Sequence, residues 1–191
     1  MIPIDIDPNL AVWGTLIISW HGFFSLLAVI TALILVARWA PTKNIDPDDI
    51  YSIAAWGILG GIIGARIVHV IDNWSYYTND PYQVIAIWKG GIGIWGAILG
   101  GFIGAAIYTK IKNKPVGIIA DLTAPALLLA QTIGRLGDIV NGEHCAKATE
   151  LFFGFIWTSP DSNAAFCSNP TGISVHPVIG YEILWNFMKF Y

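Results

Sequence analysis

The chain has 191 residues, a formal net charge of −3, 55% hydrophobic residues and only 12% charged residues. Soluble domains carry about 25% charged residues, so this chain has too few charges to coat a water-facing surface. No basic patch is interleaved with aromatics, which excludes a nucleic-acid partner, and the small net charge points to no other.

The first ten residues contain no Lys or Arg and include Asp5 and Asp7, so the positive start of a cleavable signal peptide is missing. About 20 mostly apolar residues are needed to cross the hydrocarbon core, and four segments meet that length. They run roughly from Val12 to Val36, Ile50 to Ile71, Gly91 to Tyr108 and Val116 to Val140. Arg66 and His69 interrupt the second; Asp121, Gln131, Arg135 and Asp138 lie in or near the ends of the fourth. A fifth apolar run begins near Val178 and is still apolar at Tyr191, which predicts that the sequence is a truncated piece of a longer protein. The expected architecture is an all-α polytopic membrane protein. Residues 1–140 hold four complete transmembrane helices, residues 141–177 form a small extracytoplasmic head, and residues 178–191 start a fifth helix. Nine tryptophans and seven tyrosines suit anchoring at the headgroup level.

Basic residues in short loops set the orientation. Arg38, Lys43, Lys110, Lys112 and Lys114 fall on one side, and Lys89 and Lys147 on the other. Five against two puts the N-terminus and the head outside. Both cysteines, Cys145 and Cys167, lie in that head, where a disulfide is chemically allowed. No Cys/His spacing resembles a metal site, and Cys145 beside His144 is not by itself a nucleophile pair.

The second and third spans carry glycine pairs at four-residue spacing: Gly57 with Gly61, Gly60 with Gly64, Gly96 with Gly100, and Gly100 with Gly104. In lipid, helices associate by close backbone approach, so most of these glycines are expected to be packing surfaces. Gly90, Gly91 and Gly93 precede the third span and suit a broken helix entry that offers backbone N–H groups to an anion.

Ionisable residues inside a membrane cost free energy and ask for a partner or a function. Arg66 and Arg135 are the main cases, because arginine keeps its proton. One reading pairs Arg135 with Asp138 three residues on and bonds Arg66 to carbonyls. The other brings both guanidiniums to a phosphate, whose geometry their fork matches. Gly142 is placed to end the fourth helix, Asn141 to satisfy backbone groups freed there, and Glu143 to act as a proton acceptor at the membrane boundary. His21 and His69, taken alone, read as structural histidines.

The segment from Gly134 to Glu143, GRLGDIVNGE, resembles the signature of bacterial prolipoprotein diacylglyceryl transferases. Four further stretches agree in order: Trp20-His21-Gly22, Gly64-Ala65-Arg66, Trp88 to Gly91 leading into Trp95-Gly96, and His176-Pro177 followed by Tyr181-Glu182. The resemblance implies seven spans in the full-length protein, an outward N-terminus and a place in the bacterial plasma membrane. It implies transfer of a diacylglyceryl group from phosphatidylglycerol to the cysteine thiol of a prolipoprotein signal peptide, with glycerol phosphate released and no cofactor or metal. Arg135, Asn141 and Glu143 then form the catalytic set. Arg66, Asp138, His21, Gly90, Gly91 and Trp95 contact substrate. Four positions depart from the family pattern: Trp95 stands where a histidine is usual, Asp138 where asparagine is usual, His21 where tyrosine is usual, and Ala146 where glycine is usual. The alternatives are a transporter or channel for an anionic substrate, and a catalytically inactive relative.

Overall fold

A computed structural model describes residues 1–14, 16–78, 80–142, 144–167 and 172–190. Among them four helices are long and apolar enough to cross a membrane, as expected. These are α1 (Trp20–Trp39), α2 (Pro47–Asp72), α4 (Ile94–Ile111) and α5 (Val116–Asn141); a four-residue helix α3 (Trp74–Tyr77) follows α2, and α6 (Val178–Phe190) begins where the fifth apolar run was expected. The chain divides into two compact units, one built from Met1–Leu35 with Thr123–Tyr191 and the other from Val36–Leu122.

The start of the first span needs correction. Strands β2 (Asn9–Trp13) and β3 (Leu16–Ser19) form an antiparallel hairpin across what reads in sequence as the head of that helix. Gly14 at its turn has φ +61°, and Val12, Ile17 and Ile18 are β-branched residues that favour strands. The helix begins only where the Ser19 hydroxyl accepts the Gly22 N–H at 3.0 Å, an N-cap. His21 therefore sits in the first turn of α1, at the start of the span. Two short strand pairs accompany the helices. Strand β1 (Ile2–Ile4) runs parallel to β4 (Phe155–Trp157), so the N-terminus joins the segment after α5. Ile4, Trp157, Ala164 and Val175 form the small core there, and a Cys145–Cys167 disulfide closes the loop around it.

In the second unit, α2 starts cleanly: Asp46 accepts the Asp48 N–H at 2.9 Å and Pro47 fills the first helical position. Helices α2 and α4 then pack through their glycines. A Cβ on Gly60 would collide with the Gly100 carbonyl, one on Gly64 with the Gly96 carbonyl, and the reverse collisions follow from Gly96 and Gly100. Gly57 is looser, its nearest neighbours being the Ala105 Cβ and Gly101 carbonyl at 3.5 Å. The packing role read from the spacing holds most strongly for the inner glycines. Away from this seam Ile58, Leu99 and Phe102 stay more than half exposed, as lipid-facing side chains would. Thr31, Thr109 and Thr132 each return their hydroxyl to the carbonyl four residues back, so no hydroxyl among these three seeks water. On the loop between α4 and α5, Lys114 pairs with Asp49 at 2.5 Å, and that bond raises the ammonium pKa above its ordinary value.

Helix α4 begins at Ile94, three residues later than the sequence suggests. Gly90 and Gly91 have φ +83° and +79°, so the chain turns there before entering the helix.

Candidate functional site

The first unit gathers its polar side chains around the end of α5. Gly142 takes φ +75° and returns its N–H to the Asp138 carbonyl at 3.0 Å, so it terminates the helix as expected. One helical turn earlier, Gly137 has no room for a side chain. A Cβ there would lie 2.7 Å from the His21 Cα and 3.1 Å from the Trp20 carbonyl. That contact seats the first turn of α1 directly on α5 and sets His21 beside Asp138.

The result is a connected set of five charged or ionisable groups. His21 Nδ1 meets Asp138 Oδ1 at 2.6 Å. The other oxygen, Asp138 Oδ2, accepts from Arg135 Nη1 at 2.7 Å. Arg135 Nη1 also reaches His144 Nε2 at 2.9 Å, and Arg135 Nε forms an ion pair with Glu182 Oε2 at 2.5 Å. Burial is uneven along this chain. The Asp138 side chain is 5% exposed, Arg135 24%, and Glu182 49%. The buried carboxylate thus has two well-directed partners, whereas the outer one faces solvent or headgroups. His144 Nδ1 is buried without a partner among the described residues.

Asn141 lies just behind this chain and is tied to the head. Its side-chain oxygen accepts from Asn163 Nδ2 at 2.7 Å, and the Trp157 indole N–H donates to the Ile139 carbonyl at 2.7 Å. Two of the last carbonyls of α5, those of Ile139 and Asn141, thus accept from the head, the latter from the Ser162 hydroxyl at 3.4 Å. Glu143, the expected proton acceptor, lies outside the described residues.

In the second unit Arg66 is buried and fully engaged with backbone. It donates to the Val84 carbonyl at 2.7 Å, the Gly90 and Gly91 carbonyls at 2.7 and 2.8 Å, and the Gln83 carbonyl. Its guanidinium also lies 5.3 Å from the Tyr77 ring centre, within cation–π range. This is the carbonyl-bonded alternative of the two that the sequence allows. The expected anion cradle at the entry to α4 is corrected in part: the Gly90 N–H donates to Ile87 and the Gly93 N–H to Ala65. The loop turns its carbonyls toward Arg66. Trp95 sits in the first turn of α4 and is 72% exposed.

The sequence signal thus picked out Arg135, Asp138, His21 and Asn141, and the fold draws the first three into direct contact. It did not pick out Glu182 or His144 as partners of Arg135. Glu182 falls in the last of the resembling stretches and His144 adjoins the end of the signature segment, but only the fold reveals that they converge on one guanidinium.

Comparison with known proteins is consistent with this picture. The family model for prolipoprotein diacylglyceryl transferase matches residues 8–191. A phosphatidylglycerol–prolipoprotein diacylglyceryl transferase of Trichormus variabilis is 37% identical over 186 residues, covering 96% of this chain and 64% of the relative. A protein of the same name from Acaryochloris marina is 37% identical over 175 residues, 92% of this chain and 63% of the relative. One from Listeria welshimeri is 36% identical over 187 residues, 97% of this chain and 66% of the relative. The chain therefore spans a little under two thirds of the length of these relatives.

Proposed function

The chain belongs to the prolipoprotein diacylglyceryl transferase family, and from that premise we propose that the whole protein moves the diacylglyceryl group of phosphatidylglycerol to the cysteine thiol of prolipoprotein signal peptides. Glycerol phosphate is the leaving group. In this reading the protein lies in the bacterial plasma membrane with its N-terminus and head outside.

The observation that carries the reading is Arg135, held between a buried carboxylate and an exposed one. A guanidinium matches phosphate as well as carboxylate, with parallel charge-assisted hydrogen bonds. The lipid phosphate takes the place of Glu182, the partner with access to the outside, while Asp138 keeps the guanidinium aimed. As the bond from glycerol carbon to phosphate oxygen breaks, negative charge grows on that oxygen. A donor already oriented by Asp138 stabilises this charge without reorganising.

Asn141 and Glu143 complete the polar set in this reading, Asn141 by holding the end of α5 to the head. Arg66 acts by fixing the loop that bears Gly90 and Gly91 at the entry to α4, beside Trp95. The nucleophile in this reading is the substrate thiolate.

The test uses the full-length protein in phosphatidylglycerol vesicles with a peptide containing the acceptor cysteine. The expected result is a peptide heavier by one diacylglyceryl group and an equal amount of glycerol phosphate. An unmodified peptide, with the protein folded and the lipid present, refutes the assignment.

A further inference from the structure

Four histidines are present in the chain, and their nitrogens are differently occupied. His144 Nε2 faces an Arg135 N–H at 2.9 Å. Arginine only donates, so that nitrogen is the acceptor and its lone pair is used. His176 Nδ1 lies 3.3 Å from the Tyr181 hydroxyl, and His69 Nδ1 lies 3.4 Å from Asn73 Nδ2. Neither has a carboxylate partner among the described residues. His21 differs in both respects. Its Nδ1 is 2.6 Å from a carboxylate that is 5% exposed, and its Nε2 has no partner among the described residues, on a side chain that is 46% exposed.

The tautomer follows from the chemistry of the pair. Asp138 is ionised beside Arg135 and can only accept, so the proton sits on His21 Nδ1. The lone pair is then on Nε2, on a side chain that is 46% exposed. Asp138 is fixed in turn by Arg135 at 2.7 Å, and Gly137 fixes the backbone of α1 against α5. A base nitrogen is thus oriented by a buried carboxylate and open to an incoming group. This is how a general base is recognised by geometry.

We infer, on the transferase reading above, that His21 is the general base for the acceptor thiol and that Asp138 is its positioning residue. His21 Nε2 takes the proton as the S–H bond breaks, and the electron pair stays on sulfur. The thiolate attacks the glycerol carbon that carries the phosphate ester. A carbon–sulfur bond forms while the carbon–oxygen bond breaks, and its electron pair leaves on glycerol phosphate. The imidazolium, stabilised by Asp138, then returns its proton to water. One proton is released per transfer, and the leaving phosphate gains one negative charge relative to the lipid. The same Arg135 that receives this charge also holds Asp138, so base and phosphate site share one electrostatic chain.

The experiment compares His21→Gln with the wild type, full-length in phosphatidylglycerol vesicles, using two peptides that carry cysteine or selenocysteine at the acceptor position. A selenol is ionised at neutral pH and needs no base. His21→Gln is expected to slow transfer to cysteine roughly 100-fold or more and to leave transfer to selenocysteine within about threefold of wild type, as loss of the proton-transfer step alone would. Asp138→Asn is expected to show the same preference for selenocysteine on top of a loss shared by both peptides, because Asp138 also aims Arg135. Equal slowing with both peptides means a structural role for His21 and overturns the inference. So does an unchanged rate with cysteine while the wild type is active; that result leaves the transferase reading standing. A wild type that modifies neither peptide overturns both.

Discussion

Replacing Arg135 by Ala tests the electrostatic chain at its centre. The substitution removes the 2.7 Å bond to Asp138 and leaves a carboxylate of 5% exposure with imidazoles at 2.6 and 4.0 Å as its near partners. Breaking a buried ion pair from one side costs about 3–5 kcal/mol, most of it from the charge left behind. Arg135 is itself 24% exposed, so water reaches the gap and the expected loss is nearer the low end, about 3 kcal/mol. Adding Asp138→Asn removes the stranded charge. If the cost comes from that charge, the double variant recovers about half or more of the lost stability. Transfer activity is expected to behave differently: both variants lack the proposed phosphate donor and stay at least about 100-fold down. Arg135→Lys keeps a positive charge but not the fork, so it falls between wild type and Arg135→Ala in stability while activity stays low. Unfolding in mixed detergent gives the stability, and release of glycerol phosphate gives the activity. An Arg135→Ala protein of wild-type stability, or a double variant less stable than Arg135→Ala, refutes the reasoning.

Gly64→Ala places a Cβ on the Gly96 carbonyl and is expected to destabilise by about 1–3 kcal/mol through overpacking, whereas Gly57→Ala, with 3.5 Å of clearance, stays near wild type in the same detergent unfolding assay. Arg66→Lys cannot reach the carbonyls of Gln83, Val84, Gly90 and Gly91 together; it should cost about 2 kcal/mol or more and speed hydrogen exchange over residues 83–91. Removing the Cys145–Cys167 disulfide by Cys145→Ser with Cys167→Ser opens a loop of sequence separation 22 and should lower stability by about 3 kcal/mol on the chain-entropy account, seen as a lower melting temperature of the oxidised protein relative to wild type.

The spans were legible because lipid imposes one rule on every residue of a crossing helix: backbone groups must bond within the segment and side chains must be apolar. Composition reports that rule directly, so α2 and α5 lie within a few residues of their expected limits. The rule fails at Val12 to Ser19 because an apolar, β-branched stretch satisfies hydropathy equally well as a hairpin. It is Gly14 and the Ser19 cap, both local backbone features, that decide the matter. The glycine seam was legible for the opposite reason. Four-residue spacing marks one helix face whatever the partner, and here the partner of α2 is another glycine-bearing face on α4.

Within the candidate site, spacing along one helix was readable and convergence between segments was not. Arg135 and Asp138 are three residues apart on α5, so their bond follows from helical geometry alone. His21, His144 and Glu182 come from three other segments, and no periodicity relates them to α5. The signal that connects His21 is Gly137. Read in sequence it is one more glycine in a glycine-rich chain; in the fold it is the point where two backbones touch.

The chain from His21 to Glu182 also explains why a carboxylate at position 138 is compatible with an anionic substrate. Arg135 meets two carboxylates, and its site is already more negative than a phosphate site should be. The two differ in what they can give up. Asp138 is 5% exposed and bonded on both oxygens, so displacing it would strand a buried charge. Glu182 is 49% exposed, and its carboxylate can turn into water or the headgroup layer at small cost. In the proposed reaction an arriving phosphate therefore exchanges with Glu182 and not with Asp138. Through that exchange the number of charges around Arg135 is unchanged at the moment of binding. In that proposal Asp138 stays in place throughout, so the residue that would aim Arg135 at phosphate would also hold His21 for the arriving thiol.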